Sequence, residues 1–222
     1  MNETLFICHV ALVGFAALLA LRFGKEGLTT LFCFQALIAN VFVLKQMTCF
    51  GLVITCTDTF IIGCDFSLGL LQRHYGLNAA KKAVYLCFVL LLFFVILSKM
   101  HLLYAPSSFD TFHDIYATLL QTTPRIIFAS LFVGFLSQKL NIYLQNLSQK
   151  YFNLRNAALI LFLPIAVSQL FDTVAFSCFG LYGQVHSVLD IICMSYIIKL
   201  LTVALMSPFG QLSQKLYPVS QS

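Results

Sequence analysis

Long apolar stretches separated by short polar segments cover almost the whole chain. A membrane-spanning helix needs about 20 mostly apolar residues, and seven stretches approach or exceed that length. They occupy residues 5–23, 28–44, 49–71, 83–103, 125–140, 156–180 and 187–207. The pattern predicts an all-α, polytopic integral membrane bundle of about seven transmembrane helices. Since no linker divides the chain, we expect a single transmembrane domain over residues 1–222.

The first apolar stretch has a second interpretation, because secretory signal peptides also contain an apolar segment near the N-terminus. Residues 5–23 follow Glu3 instead of a basic segment, lack a clear small-residue cleavage site and lead directly into the next apolar stretch. These features favour a retained helix. Six spans are the alternative if the segment is removed.

Composition agrees with a membrane protein. Hydrophobic residues make up 60% of the chain and charged residues 9%. Soluble domains carry roughly 25% charged and about 45 to 50% apolar residues. A soluble domain and a nucleic-acid-binding protein are therefore excluded as classes, and the lipid bilayer is the expected environment.

The 13 Lys and Arg residues predict the orientation, because cytoplasmic loops collect positive charge. With the N-terminus outside, nine of them fall on the inner side: Arg22, Lys25, Arg73, Lys81, Lys82, Lys139, Lys150, Arg155 and Lys215. Lys45, Lys99 and Arg125 fall on the outer side. We expect a multi-pass protein of the cell inner (plasma) membrane, with the N-terminus outside and the C-terminus in the cytoplasm.

The eight cysteines and five histidines show no spacing typical of a metal or redox site. No two cysteines form a CxxC pair, no histidines form an HExxH motif, and every cysteine lies in or beside an apolar stretch. We expect the cysteines to pack as small apolar side chains, and we expect no metal and no cofactor.

Two carboxylates lie inside the third apolar stretch, where an ionisable side chain costs at least about 2.5 to 3.5 kcal/mol to insert. Asp58 and Asp65 are seven residues apart, which places them on nearly the same helical face and roughly 10 Å apart along the axis. Such residues usually face the bundle interior and mark a binding site or an ion pathway. Alternatively, both lie near the outer headgroups in a broken or re-entrant helix and remain hydrated.

The sixth apolar stretch carries a polar cluster after Pro164, a residue that kinks a helix and frees a backbone carbonyl. Gln169 and Asp172 are three residues apart and share a face, and Phe176 follows one turn later. An amide, a carboxylate and an aromatic ring on one face favour a flat heterocyclic ligand over an ion. The alternative is a polar pair that only holds two helices together.

Lys199 lies within the seventh apolar stretch, where an unpaired ammonium group would lose its proton or draw in water. We expect a carboxylate partner, either Asp172 or Asp58. Alternatively, the Lys199 side chain extends along the helix to the inner headgroups. Two further polar candidates are Asn40 in the second stretch and Arg125 at the outer mouth, where it can meet an entering substrate.

A series of short motifs covers residues 40–209. The segment from Gly69 through Gln72 to Ala83 contains LLQ, an aromatic residue, glycine and a basic stretch. The other motifs are Ala39-Asn40 with Lys45, Thr57-Asp58, Thr123-Pro124-Arg125 with Ala129-Ser130, Leu154-Arg155-Asn156, Ser168-Gln169 with Asp172-Thr173, and Ile198-Lys199 with Ser207-Pro208-Phe209. In this order they resemble the queuosine precursor transporter family, also called the vitamin uptake transporter family. Arg73 departs from the pattern, because the family usually has Glu at that position.

The resemblance implies an importer of 7-deazaguanine bases (preQ0, preQ1 or queuine), which serve to make the tRNA nucleoside queuosine. It implies a fold similar to the substrate-binding membrane subunits of energy-coupling-factor transporters, with substrate bound in the bundle and alternating access. In such a site Asp172 or Asp58 would accept the N–H donors of the base. The other candidate substrate contacts are Gln169, Asn40, Gln72, Phe176 and Lys199.

The sequence leaves the energy source open. Protons coupled through Asp58, Asp65 or Asp172 are one source; a separate ATPase module is another, since the chain has no Walker A loop. A vitamin-like solute importer is a further alternative. No paired histidine and carboxylate, metal cluster or GxSxG motif indicates an enzyme. A scaffold or channel would leave the buried carboxylates without a role, and homo-oligomerisation is not predicted either way.

Overall fold

The computed structural model describes residues 1–42, 45–49, 52–55, 57–120, 124–151, 157–181 and 188–217. The helices are α1 (Asn2–Arg22), α2 (Gly24–Phe42), α3 (Asp58–Tyr75), α4 (Leu77–Leu102), α5 (His113–Leu120), α6 (Pro124–Tyr151), α7 (Ala157–Phe176) and α8 (Val188–Leu216). The remaining described elements are the strands β1 (Gln46–Cys49) and β2 (Leu52–Thr55) and a π-helical turn (Ser177–Leu181). The all-α bundle predicted from the sequence is confirmed.

As far as the described residues extend, a helix of 18 or more residues overlaps each of the seven apolar stretches. Four helical segments are long and apolar enough to cross a membrane: Asn2–Arg22, Leu77–Leu102, Ile160–Gly180 and Ile192–Leu216. Within the same residues, α2, α3 and α6 do not meet both conditions. The number of crossings, seven or six, therefore stays a prediction.

In the first part of the predicted third span, the described residues 49, 52–55 and 57 are not helical. Strand β2 lies there and pairs antiparallel with β1, and α3 begins only at Asp58. Val53, Ile54 and Thr55 are β-branched residues that fit a strand well. Their apolar character alone does not distinguish a strand from a membrane helix, which explains the wrong boundary.

α3 is the central helix of the bundle. It contacts α1, α2, α4, α6, α7 and α8, and residues 62–72 are all buried. Two glycines permit close approach of the neighbours: a Cβ at Gly63 would lie 3.0 Å from both polar atoms of the Gln35 side chain, and one at Gly69 would lie 3.0 Å from Nε2 of Gln145. Polar groups on this helix are therefore surrounded by protein.

The cysteines divide into two groups. Three of them pack inside the bundle as small apolar side chains: Cys33, Cys64 and Cys87. Three others lie on its surface: Cys8, Cys178 and Cys193. The side chains of Cys49 and Cys56 fall outside the described part of the chain. The packing prediction is thus confirmed for the first three.

Candidate functional site

Asp65 lies in the middle of α3 with only 1% of its surface exposed. Its two oxygens accept hydrogen bonds from amides on different helices: Nε2 of Gln138 on α6 donates to Oδ1 at 2.8 Å, and Nε2 of Gln169 on α7 donates to Oδ2 at 2.6 Å. Hydrogen bonds to an ionised acceptor are stronger than those between neutral groups. Among the described residues no cation bonds to Asp65, so neutral donors hold this carboxylate at the centre of the bundle.

The two amides that hold Asp65 each have a second polar atom. The Oε1 atoms of Gln138 and Gln169 are buried and accept no hydrogen bond from any described residue. A buried acceptor left unpaired costs about 1 to 3 kcal/mol. Because each amide nitrogen is already bonded to Asp65, the two oxygens remain as acceptors for donor groups of a ligand.

Lys199 of α8 forms a buried ion pair with Asp172 of α7. Its Nζ atom donates to Oδ2 of Asp172 at 2.9 Å and to Oγ1 of Thr173 at 3.1 Å, and the Lys199 and Asp172 side chains are 4% and 15% exposed. The predicted carboxylate partner of Lys199 is therefore confirmed, with Asp172 in that role. The buried, paired ammonium group argues against the alternative of an extended, hydrated Lys199.

Asp58 is the first residue of α3 and is 4% exposed. Its Oδ1 atom accepts a hydrogen bond from Oγ of Ser195 at 3.2 Å. Ser195 precedes Lys199 by one turn of α8, so both side chains lie on one face of that helix. The burial of Asp58, like that of Asp65, argues against the hydrated alternative for these carboxylates.

The cluster contains more carboxylates than cations. Within the described residues, Asp58, Asp65 and Asp172 lie near one ammonium group, that of Lys199. A buried charge is costly unless it is paired and hydrogen-bonded. The surplus is neutralised when a carboxylate takes up a proton or when a ligand brings positive charge. The arrangement is therefore suited to reversible binding of a polar ligand, of protons, or of both.

Asn40 and Gln72 lie apart from this cluster. The Oδ1 atom of Asn40 accepts a hydrogen bond from Ser130 at 3.2 Å, which joins α2 to α6. Gln72 lies two turns beyond Asp65 on α3, and its Nε2 donates to the Ile142 carbonyl at 3.2 Å. Neither amide bonds to the cluster within the described part of the chain, and their predicted contacts with substrate stay predictions.

Phe176 and Arg125 are the two remaining candidates from the sequence. Phe176 ends α7, and its ring packs on the π-helical turn, where a Cβ at Gly180 would lie 3.0 Å from the ring. Its stacking on a base stays a prediction. The side chain of Arg125 lies outside the described side chains, so its role at the outer mouth also stays a prediction.

Sequence reasoning missed Gln138 and Ser195. The predicted fifth span ended at residue 140, whereas α6 continues to Tyr151. Polar residues recur on α6 at positions 138, 141, 145 and 148, a spacing of three to four that marks one helical face. That spacing was the signal available for Gln138. For Ser195 the available signal was its position four residues before Lys199, which places both on one face of the helix.

Comparison with known proteins gives two matches. A profile of the putative vitamin uptake transporter family matches residues 59–212, a range that includes Asp65, Gln138, Gln169, Asp172 and Lys199. A probable queuosine precursor transporter of Bacillus subtilis (strain 168) is 30% identical over 204 residues, which cover 88% of this chain and 87% of that relative. No solved structure matches the chain significantly.

Proposed function

We propose that this chain, which belongs to the putative vitamin uptake transporter family, imports a queuosine precursor, a 7-deazaguanine base. Membership of the family makes it a multi-pass membrane transport protein and not an enzyme. The name of the Bacillus relative supports the substrate class. In this proposal residues 1–222 form one transmembrane domain, and a site inside the bundle opens alternately to the two sides of the membrane.

The observation that carries the proposal is the enclosure of Asp65 between Gln138 and Gln169. A guanine-type base presents an exocyclic amine with two N–H donors, and these donors need two acceptors. The two glutamine Oε1 atoms are such acceptors, and each is held in place by the bond from its own amide nitrogen to Asp65. We assign the donors to these amide oxygens, because Asp172 is paired with Lys199 and Asp58 is bonded to Ser195.

We also propose that uptake is coupled to protons, as a symport. Asp65 is buried and bonded to neutral amides, so a proton bound there removes an uncompensated charge. Asp58 is the second candidate carrier, because its partner Ser195 is also neutral. In proteoliposomes, an imposed inward proton gradient should drive accumulation of the base, and a protonophore should abolish it. Equal accumulation without the gradient would contradict the coupling.

The substrate is tested in cells that cannot make their own precursor. When the chain is produced, added base should restore queuosine in tRNA, measured by mass spectrometry of the nucleosides. Cells without the chain should show no restoration at the same external concentration. If the two cultures contain the same amount of queuosine, the proposed substrate is wrong. Supplying preQ0, preQ1 and queuine in parallel identifies the base that is carried.

Two alternatives remain for the same bundle. The description of the family as putative vitamin uptake transporters favours a vitamin-like solute as the alternative substrate. A substrate-binding membrane subunit that needs a separate ATPase module is the alternative mechanism. Proteoliposomes containing only this chain decide the second point, since accumulation in the absence of ATP excludes a requirement for that module. Competition of unlabelled vitamins against the labelled base decides the first.

We propose the cell inner (plasma) membrane as the location, with the N-terminus outside and the C-terminus in the cytoplasm. The distribution of the Lys and Arg residues supports this orientation. A C-terminal fusion to alkaline phosphatase should be inactive and a fusion to green fluorescent protein fluorescent, because each reporter works on one side of the membrane. The opposite result would invert the topology.

A further inference from the structure

Helices α6 and α7 carry the same short motif, Ser-Gln-x-x-Asx. On α6 it consists of Ser137, Gln138 and Asn141, and on α7 it consists of Ser168, Gln169 and Asp172. Of the Ser-Gln pairs in the chain, only these two are followed three residues later by Asn or Asp. The two motifs are 31 residues apart, on helices that contact each other.

The two motifs meet at Asp65. The Ser137 hydroxyl donates to the Ser168 carbonyl at 3.0 Å, and the two glutamines of the motifs donate to the two oxygens of Asp65. Farther along, the Gln145 amide donates to the Leu161 carbonyl at 2.8 Å. Positions on α7 therefore fall as positions on α6 rise, so the helices are antiparallel and the motifs form a local two-fold arrangement around the carboxylate.

The antiparallel arrangement places the last residues of the motifs on opposite sides of Asp65. Asn141 and Asp172 each follow their glutamine by three residues, which is about 4.5 Å along the axis of an α-helix. Since α6 and α7 run in opposite directions, these two displacements point away from each other. The site around Asp65 is thus bordered by a carboxylate on one side and by an amide on the other.

The two sides differ in how their polar groups are satisfied. Asp172 is paired with Lys199, whereas Asn141 is 0% exposed and neither Nδ2 nor Oδ1 finds a hydrogen-bond partner among the described residues. Burying an amide without partners costs free energy that a helix with leucine at that position would avoid. A polar group kept at such a cost is expected where a ligand supplies the missing partners.

On the side of Asp65 where Asn141 lies, two further amides have a polar atom without a hydrogen-bond partner within the described part of the chain. The nitrogens of Gln72 and Gln145 donate to backbone carbonyls, and their Oε1 atoms are buried without a partner in the described structure. Gln145 is one turn beyond Asn141 on α6, and Gln72 bonds to the carbonyl of the neighbouring Ile142. Two acceptors on fixed amides therefore lie on the same side of Asp65 as Asn141, whose own amide offers both a donor and an acceptor.

We infer that Asn141 reads the lactam edge of the transported base, on the side of Asp65 opposite to the Asp172–Lys199 ion pair. A lactam presents a carbonyl acceptor beside an N–H donor, and a carboxamide is complementary to both in one plane. An ionised carboxylate has no donor for the carbonyl of the base. This explains why the motif on α6 ends in Asn141 where the motif on α7 ends in Asp172. This inference rests on the proposed function, and it assigns Asn141 as a specificity-determining residue of that site.

Equilibrium binding to the purified, detergent-solubilised protein tests the assignment with two bases. One is 7-deazaguanine, and the other is 2-amino-7-deazapurine, which lacks the lactam. Asn141→Leu should lower the affinity for 7-deazaguanine at least about tenfold, because two buried hydrogen bonds are lost. It should change the affinity for 2-amino-7-deazapurine less than about twofold, because that base never made the lactam contacts. Asn146→Leu, half-buried on the same helix but outside the motif, should change neither affinity.

The outcomes separate the inference from the proposed function. Equal loss of both affinities in Asn141→Leu would show a general disturbance and overturn the assignment, and so would an unchanged affinity for 7-deazaguanine. If Asn141→Leu does not fold, Asn141→Asp keeps the volume and removes the donor, and it should lose the preference for the lactam base at least about fivefold. An unchanged preference there would also overturn the assignment. If the unaltered protein binds neither base, the proposed function fails at the first step.

Discussion

Helices α3 and α4 follow each other in the chain and have opposite positions in the molecule. In α3 every residue from 62 to 72 is buried, although the segment includes Asp65, Ser67 and Gln72. In α4, whose 26 residues are among the most apolar of the chain, five are buried: Ala80, Ala83, Val84, Cys87 and Ser98. The polar helix is central and the apolar helix is peripheral.

This difference follows from the solvent. Lipid tails are as apolar as leucine, so a helix at the edge of the bundle gains nothing by turning its apolar side chains inward. A carboxylate or an amide is therefore kept away from lipid, inside the bundle, where other helices or a ligand can supply hydrogen-bond partners. High hydropathy alone therefore does not show which helix carries the site: α4 is highly apolar and faces outward, whereas the central helix α3 is recognised by its polar residues.

Loss of the central carboxylate is the strongest test of the comparison. Asp65→Leu should reduce uptake of the base at least about 100-fold, because both the anchor of Gln138 and Gln169 and the proposed proton site are removed. Val89→Leu on the exposed face of α4 should leave uptake within about twofold. Initial rates in proteoliposomes at equal protein amounts measure both. Substantial uptake by Asp65→Leu would show that transport does not require the carboxylate of α3.

The buried and the exposed ion pair should differ in stability. Lys199→Ala leaves Asp172 buried without its cation and should lower the free energy of unfolding by about 3 to 5 kcal/mol. Lys25→Ala breaks a 3.6 Å pair between exposed side chains and should cost less than about 1 kcal/mol. Unfolding titrations in mixed micelles measure both changes.

The double variant Lys199→Met with Asp172→Leu refines the same test. It should recover most of the lost stability, because apolar residues replace the whole pair. It should not recover uptake, because the polar site is gone. A stable double variant with normal uptake would show that the ion pair contributes to stability and not to transport.

Glycine substitutions compare the tight centre with an open position. Gly69→Ala should destabilise the protein by about 1 to 3 kcal/mol, because the added Cβ would lie 3.0 Å from Gln145 and would also meet Leu161. Gly134→Ala on α6 meets no atom within 4 Å and should be neutral or stabilising by up to about 1 kcal/mol. Equal effects in thermal unfolding would mean that α3 is packed no more tightly than the periphery.

Aromatic substitutions are the mildest comparison. The Phe66 ring stacks on Phe162 with centroids 5.8 Å apart, and Phe66→Leu should cost about 1 kcal/mol of stability. Phe93→Leu on α4, where the side chain is 56% exposed, should change stability by less than about 0.5 kcal/mol. The shift of the thermal unfolding midpoint distinguishes the two variants. A larger shift for Phe93→Leu than for Phe66→Leu would mean that packing on the lipid-facing surface contributes more to stability than packing in the core.

Much of the fold could be predicted from the sequence because the bilayer imposes a length on each apolar helix. The start of α3 could not, since the apolar character of the segment around Val53, Ile54 and Thr55 does not by itself distinguish a strand from a membrane helix. Only pairing with β1, a contact between separate segments, selects the strand.

The site shows the same division. The Lys199–Asp172 contact was predictable, because a charge within an apolar stretch demands a partner and few partners exist. The hydrogen bond from Gln138 to Asp65 could not be predicted. A neutral amide does not require a charged partner, and the two residues are 73 positions apart. A sequence shows that a charge inside an apolar stretch needs an opposite charge nearby. It does not show which neutral side chain will bond to a carboxylate, because that depends on how α3 packs against α6.

The surplus of carboxylates around Lys199 has a consequence for energetics across the bilayer. In the described cluster, three carboxylates against one ammonium leave two negative charges when no proton is bound. A transmembrane voltage acts on each elementary charge with about 2.3 kcal/mol per 100 mV. We expect a negative-inside voltage to drive the empty, anionic site toward the outer face and to leave the loaded, neutralised site unaffected. Uptake measured at voltages set by valinomycin and potassium gradients tests this dependence. In such a carrier the membrane voltage would return the empty site to the outer face in each transport cycle.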